Sequence, residues 1–248
     1  MKYKLTVEYD GTRFRGWQAQ KGLRTVQGEL IDICQTIFNT NKLEVYGAGR
    51  TDAGVHAIAQ VAHLAVDSTL TTDEVGLLLN ERLPEDISIV EVAQVPDSFH
   101  ARHDAIARSY LYRIAQRANA EDPRYAWYVR DRLDLAKMRE AAAVLVGMHD
   151  FRSFSDDDPT EKSTKVELLK FDITKEGDLL DLRVVGSHFL WKMVRRMVGI
   201  LVEVGRGRMT ALDVRELLKN PSRRPAEFTA PPAGLFLDNV YYDEADIE

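Results

Sequence analysis

Polar and apolar positions alternate from residue 2 to residue 10, with Tyr3, Leu5, Val7 and Tyr9 on one face. That is the period of a half-buried strand. The period then changes. In "TVQGELIDICQTIF", Val26, Leu30, Ile33 and Ile37 recur at helical spacing behind Thr25, whose hydroxyl can cap a helix start. "LEVYGAG" and "IAQVAHLAV" read as two strands joined by a glycine-rich loop. "TTDEVGLLLNERL" opens on a capping box, Thr71 with Glu74, and predicts a second helix, and "DISIVEVA" predicts another strand. The resulting order, β-α-β-β-α-β, is the split βαβ or ferredoxin-like pattern.

A related series follows. "AIARSYLYRIA" reads as a strand, and "DLAKMREAAAVLVG" as a helix from Asp134 to a terminating Gly147. "STKVELLKFDI" and "LLDLRVVG" read as strands. "SHFLWKMVRRMVGILVEVG" predicts one long helix closed by Gly205, with a short helix from Thr210 before Pro221 and a last strand in "GLFLDNVYY". The expectation is an α+β fold of two ferredoxin-like halves, residues 1–104 and 105–248, around a central antiparallel sheet with flanking helices. A cleft between the halves is the expected place for a site.

Composition narrows the class. Apolar residues make up 45% of the 248 residues and charged residues 29%, which fits a soluble globular protein with a substantial core. No apolar run is long enough for a membrane span, and "MKYKLTVEYD" has no signal-peptide core. The single cysteine, Cys34, has no partner for an internal disulfide, so the expected compartment is the cytoplasm. The net charge of -6 argues against a nucleic-acid partner, but the charge is unevenly spread. "DDDPTE" (156–161) and the C-terminal "YYDEADIE" are acidic, whereas "FLWKMVRRMVG" and "GRGR" are basic. A local positive surface therefore remains open.

The chemistry concentrates in "YGAGRTDAGVH", residues 46–56. The stretch lacks the third glycine of G-x-G-x-x-G and the G-K-[ST] ending of a P-loop, and it opens no helix, so a phosphate cradle is disfavoured. A plain hairpin with Asp52 supporting a turn is the structural alternative. The small residues Gly47, Gly49, Ala53 and Gly54 would instead let a flat ligand lie against Asp52. Arg50 and Asp52, two apart, share a side of an extended segment. A glycosidase-type pair needs a second carboxylate, and the loop supplies none.

"AGRTDAGVHA" closely resembles the signature of the tRNA pseudouridine synthase A family. Four further segments resemble that family in order: "EYDGTRFRGWQ" (8–18) with "TVQGEL" behind it, "FHARHDAIARSYLYRI" (99–114), "FLWKMVRRMVG" (189–199) and "GLFLDNVYY". The resemblance implies two ferredoxin-like halves, a homodimer, no cofactor and no metal. It implies isomerisation of uridine to pseudouridine in the anticodon stem-loop of tRNA, at tRNA positions 38 to 40, and no membrane partner. Residue by residue, Asp52 matches the catalytic aspartate and Tyr110 the tyrosine that packs against the target base. Arg50 matches the arginine that helps hold the base out of the stack, and Arg195 the basic residue that pairs with the aspartate. A cation beside Asp52 would favour the ionised carboxylate. Three routes are then open: attack at C1′, addition at C6, or removal of the C2′ proton. His56 can touch phosphate or brace the loop. The acidic stretch "SFSDDDPTEKSTKVEL" and its Lys165 depart from the family pattern.

The other candidates have structural readings of equal simplicity. Tyr110 alternates with Arg108, Tyr112 and Ile114 along a strand, where aromatics usually pack a core. Arg195 sits beside the apolar stripe Val194, Met197 and Leu201, and helical arginines are usually solvated. His100 and His103 have H-x-x-H spacing without a third ligand, which disfavours a metal site. Trp17 reads as a packing residue. Two rival functions remain: a non-catalytic RNA-binding protein, for which the RNP-type motif is absent, and a carboxylate-dependent nucleoside hydrolase.

Overall fold

The computed structural model describes residues 1–118 and 123–247. In chain order the first elements are β1 (Lys2–Tyr9), α1 (Val26–Phe38), β2 (Leu43–Gly47), β3 (His56–Val66), α2 (Thr72–Asn80) and β4 (Ile87–Val95). There follow β5 (Ala107–Ala115), β6 (Trp127–Tyr128), α3 (Leu135–Leu145), β7 (Gly147–Asp150), β8 (Lys165–Glu176) and β9 (Leu179–Gly186). The chain closes with α4 (Met193–Gly205), α5 (Ala211–Lys219), the single turn α6 (Arg224–Glu227) and β10 (Leu235–Tyr241). Ten strands, mostly antiparallel, and six helices among the described residues make a mixed α/β chain. No helix among them is long and apolar enough to cross a membrane.

Two units emerge. The first comprises Met1–Ile106 with Phe236–Glu248, the second Ala107–Leu235. Sequence order alone assigned β10 to the second half, yet most of it lies in the first unit, where Phe236 and Leu237 pair in parallel with His56 and Ala57 of β3. Strand pairing is a long-range choice that local pattern does not encode.

In the first unit β1 lies between β3 and β4, antiparallel to both, and β2 pairs on the other side of β3. The alternation of β1 puts Tyr3, Leu5, Val7 and Tyr9 in the core. The Thr25 hydroxyl accepts from the Gly28 amide and starts α1, which buries Val26, Leu30 and Cys34. Thr71 and Glu74 form the full capping box of α2. Burial pushes the Cys34 thiol up to about 12, because a thiolate there would lose its solvation. Iodoacetamide at pH 8 should therefore leave Cys34 unmodified in the folded protein and label it only after denaturation. Rapid labelling of the native chain, read by mass spectrometry, would contradict this packing.

In the second unit β9 lies between β5 and β8, and β7 pairs with β8. Asp134 caps α3, and Thr210 with Asp213 forms a second capping box at α5. The helix expected from residue 187 begins only at Met193. Lys192 takes a left-handed conformation (φ +60°), which breaks the helical path, and residues 187–192 form a loop despite their apolar spacing. Gly147 follows the C-cap Val146 of α3 with φ +104° and also opens β7, a strand the sequence reading misses.

Candidate functional site

The loop between β2 and β3 is fixed from several sides. Ala48 donates to the Val61 carbonyl (2.7 Å), and the Gln60 side-chain amide donates to the Gly49 carbonyl (3.0 Å). The Trp17 amide donates to the Thr51 carbonyl at 3.1 Å. The hydroxyls of Tyr9 and Thr51 meet at 2.8 Å in the interior. Val55 then donates back to the Asp52 carbonyl (3.1 Å), closing a four-residue turn. Gly54, its third residue, has φ +78°, the conformation that position requires in a type II turn.

The support comes from residues 9–17, directly after β1. Trp17 is buried and lies flat against Gly47, where a Cβ would come within 2.5 Å of the indole. Gly11 packs so closely on the loop's far end that a Cβ would sit 1.9 Å from the Val55 carbonyl oxygen. The Gly11 amide donates to His56 Nδ1 at 3.0 Å, so geometry assigns the ring proton of neutral His56 to Nε2. Asp10 Oδ1 lies 3.2 Å from the same nitrogen. His56 is only 1% exposed and stacks on Phe236 with ring centres 4.9 Å apart. The segment "YDGTRFRGW" and the loop "GRTDAGVH" thus form one interlocked piece. What it presents is Asp52, half-buried, and Arg50, exposed.

The second unit holds the other two expected residues. Tyr110, 9% exposed, stands opposite Val184 in the β5–β9 ladder and meets Phe189 edge-on at 5.0 Å. Two residues on, the Tyr112 hydroxyl donates to the Pro231 carbonyl (2.8 Å), and Arg195 Nε donates to the adjacent Ala230 carbonyl (2.7 Å). The start of α4 and the middle of β5 are therefore tied to two successive carbonyls, Ala230 and Pro231. Burial pushes the Tyr112 phenol well above its ordinary range, and the nearby Arg195 charge pulls it partly back. Arg50, Asp52 and His56 thus share one braced loop in the first unit. Tyr110 and Arg195 share one neighbourhood in the second.

The histidines of the H-x-x-H spacing have other employment. His100 Nδ1 accepts from the amides of Arg102 and His103, and His63 Nδ1 accepts from Ala101. Burial lowers the pKa of both His63 and His100, favouring neutral rings, of which His63 stacks on Tyr46 and His100 meets it edge-on. Among the described residues no group of three or more His, Cys, Asp or Glu could hold a metal ion.

Sequence comparison gives this geometry its class. Residues 5–104 and 141–243 match the family described as tRNA pseudouridine synthase. The chain belongs to that family, which is one of isomerases. It is 45% identical over 244 residues to the tRNA pseudouridine synthase A of Afipia carboxidovorans, covering 97% of this chain and 99% of the relative. It is 44% identical to the tRNA pseudouridine synthase A of Rhodopseudomonas palustris (98% and 99% covered). It is 39% identical to tRNA pseudouridine synthase A 2 of Bacillus cereus (97% and 99%).

Proposed function

We propose that this chain isomerises uridine to pseudouridine in the anticodon stem-loop of tRNA, at one or more of tRNA positions 38 to 40, with Asp52 as the catalytic carboxylate. The observation that carries the proposal is the bracing of the Asp52 loop. Its neighbours Thr51, Val55 and His56 are buried and tied to β1 and the segment after it, while Asp52 and Arg50 remain at least partly open. A chain that spends a tryptophan, a tyrosine and a histidine on holding one small loop is holding it for chemistry.

The reaction breaks the N1–C1′ bond of the uridine, turns the base, and forms C5–C1′. The proton on C5 is lost and N1 gains one. The base must first leave the stack, at about a few kcal/mol. Arg50 fills the vacated space, Tyr110 supplies a face for the uracil, and Arg195 is the basic residue that accompanies the aspartate in the family pattern. His56 sets the loop from beneath. Water is excluded so that the cleaved base is not lost to hydrolysis. The working form is a homodimer, since a single chain of charge -6 offers little basic surface to a large RNA.

The test is single-turnover reaction with tRNA carrying uridine at position 38, 39 or 40, followed by nucleoside separation. Pseudouridine at one of these positions is expected, and its disappearance when that uridine is replaced by cytidine. Modification only elsewhere in the tRNA would overturn the positional reading, and release of free uracil would overturn the reaction. Sedimentation of an active species at monomer mass would overturn the dimer.

Tyr110 offers a second check. Tyr110→Phe keeps the ring and its edge-on contact with Phe189, and tRNA affinity should stay near wild type. Tyr110→Ala should weaken affinity about tenfold or more, the scale of one lost base stack. Urea denaturation of both variants separates binding from folding. Equal affinity losses would contradict stacking.

A further inference from the structure

The departure of "SFSDDDPTEK" from neutral composition has a structural counterpart at the start of α4. Asp156 accepts from Lys192 Nζ at 3.0 Å and also from Arg196 Nη2. Asp157 Oδ2 accepts the Trp191 amide at 3.0 Å and lies 3.7 Å from Lys162 Nζ. The Ser155 hydroxyl lies 3.1 Å from both the Trp191 carbonyl oxygen and Asp157 Oδ2, its one proton shared between these acceptors. One loop therefore lays two carboxylates on two cations and a backbone amide.

The receiving surface is built as an anion site. Lys192 and Arg196 are four apart and so lie on one face at the helix start, where the peptide dipoles favour negative charge. The left-handed Lys192 turns its ammonium back over the Trp191 ring, 4.2 Å from the centroid. Arg196 is 4% exposed, and its Nε is buried with no hydrogen-bond partner among the described residues. A buried guanidinium nitrogen still lacking an acceptor marks a site whose best ligand carries more acceptor oxygens than the single carboxylate now there. Trp191, 52% exposed, stands beside it. An open indole next to paired cations suits a nucleic acid, whose phosphates take the cations and whose bases take the ring.

We propose that the start of α4 is a contact surface for the RNA sugar-phosphate backbone, and that Asp156 and Asp157 occupy it as phosphate mimics until RNA displaces them. The proposal rests on the reading that this chain acts on RNA. The loop is suited to leaving. It carries no regular secondary structure between residues 155 and 164, the Asp156–Lys192 pair is solvent-exposed enough to contribute little when formed, and the carboxylate facing buried Arg196 is itself 39% exposed. Its presence makes binding a trade of acceptors, so a single stray phosphate competes poorly while an RNA that also engages other parts of the protein succeeds.

The test compares two double variants of equal charge change, both in this loop. D156N/D157N removes the mimics. D158N/E161Q removes two carboxylates of the same loop, of which Asp158 accepts from the Thr160 amide. Affinity for the substrate tRNA is measured from about 50 to 300 mM salt. D156N/D157N should bind about fivefold or more tighter at low salt and steepen the salt dependence by about one phosphate contact, while D158N/E161Q changes little. Adding K192M to D156N/D157N should abolish the gain. Equal tightening in the two double variants means net charge alone acts, and no tightening means the carboxylates are not competitors; either overturns the proposal. Should D156N/D157N fail to fold, amide hydrogen exchange of residues 155–162 in the unaltered protein decides. It should speed up on adding tRNA, and slower or unchanged exchange overturns the displacement. Pseudouridine formation by the unaltered protein on the same tRNA keeps this outcome separate from the reading it rests on.

Discussion

Asp52→Asn should lose pseudouridine formation by several orders of magnitude while binding tRNA within about twofold of wild type, since affinity comes from phosphate contacts elsewhere. Asparagine matches the carboxylate in shape and keeps the Asp52 carbonyl that closes the turn with Val55. Only the charge, and with it the nucleophilicity and basicity, is removed. Each tenfold loss corresponds to about 1.4 kcal/mol of barrier, so a covalent or proton-transfer role predicts a deficit of at least about 4 kcal/mol. A turn-supporting aspartate predicts a different profile: a lower urea midpoint and near-normal turnover. Single-turnover rates within about tenfold of wild type would remove Asp52 from the chemistry.

Gly11→Ala should be nearly as damaging to the rate without touching any reacting group. The new methyl would lie 1.9 Å from the Val55 carbonyl oxygen, a backbone atom that cannot swing aside. Relief requires the segment after β1 and the Asp52 loop to separate, which breaks the Gly11–His56 hydrogen bond and draws Asp52 out of place. A displacement on the order of 1 Å at a reacting centre costs on the order of a hundredfold in rate. The strain should also lower stability by roughly 1–3 kcal/mol, in the range of overpacked cores. The expected signature is a depressed kcat with a lowered thermal midpoint and little change in tRNA affinity. Wild-type kcat in Gly11→Ala would show that the interlock does not position Asp52.

These two variants also separate what local pattern can reveal from what it cannot. The capping residues Thr25, Thr71 with Glu74, and Thr210 all act where the sequence placed them, because a cap and its helix are neighbours in the chain. The alternation in β1 was readable for the same reason. Residues 187–192 misled because their apolar spacing is helical while the backbone turns left-handed at Lys192. β7 was hidden behind the apparent end of α3, since a glycine at a helix end and a glycine opening a strand look alike. Within the site, Arg50 and Asp52 stood out as the only charges in a loop of small residues. Their support did not. Gly11 and Tyr9 meet the loop across some forty residues of chain, and only the quoted run "YDGTRFRGWQ" hinted that this stretch had a fixed task. His56 was open between touching phosphate and bracing, and its 1% exposure and contact with Gly11 place it within the brace.

The pairing of β10 with β3 sets a timetable for the nascent chain. Phe236 stacks on His56 and Leu237 pairs with Ala57, so the strand that carries the Asp52 loop is completed by residues made only after the whole second unit. All of Ala107–Leu235 emerges in between. At ribosomal speeds of about 5–20 residues per second, that is a wait of roughly ten seconds. During it only the His56–Ala57 end of β3 lacks its parallel partner, and the His56 ring lacks its aromatic neighbour. The first unit to be started is thus not the first to be finished, and the His56 end of the Asp52 loop gains its last aromatic neighbour only after the second unit has been made.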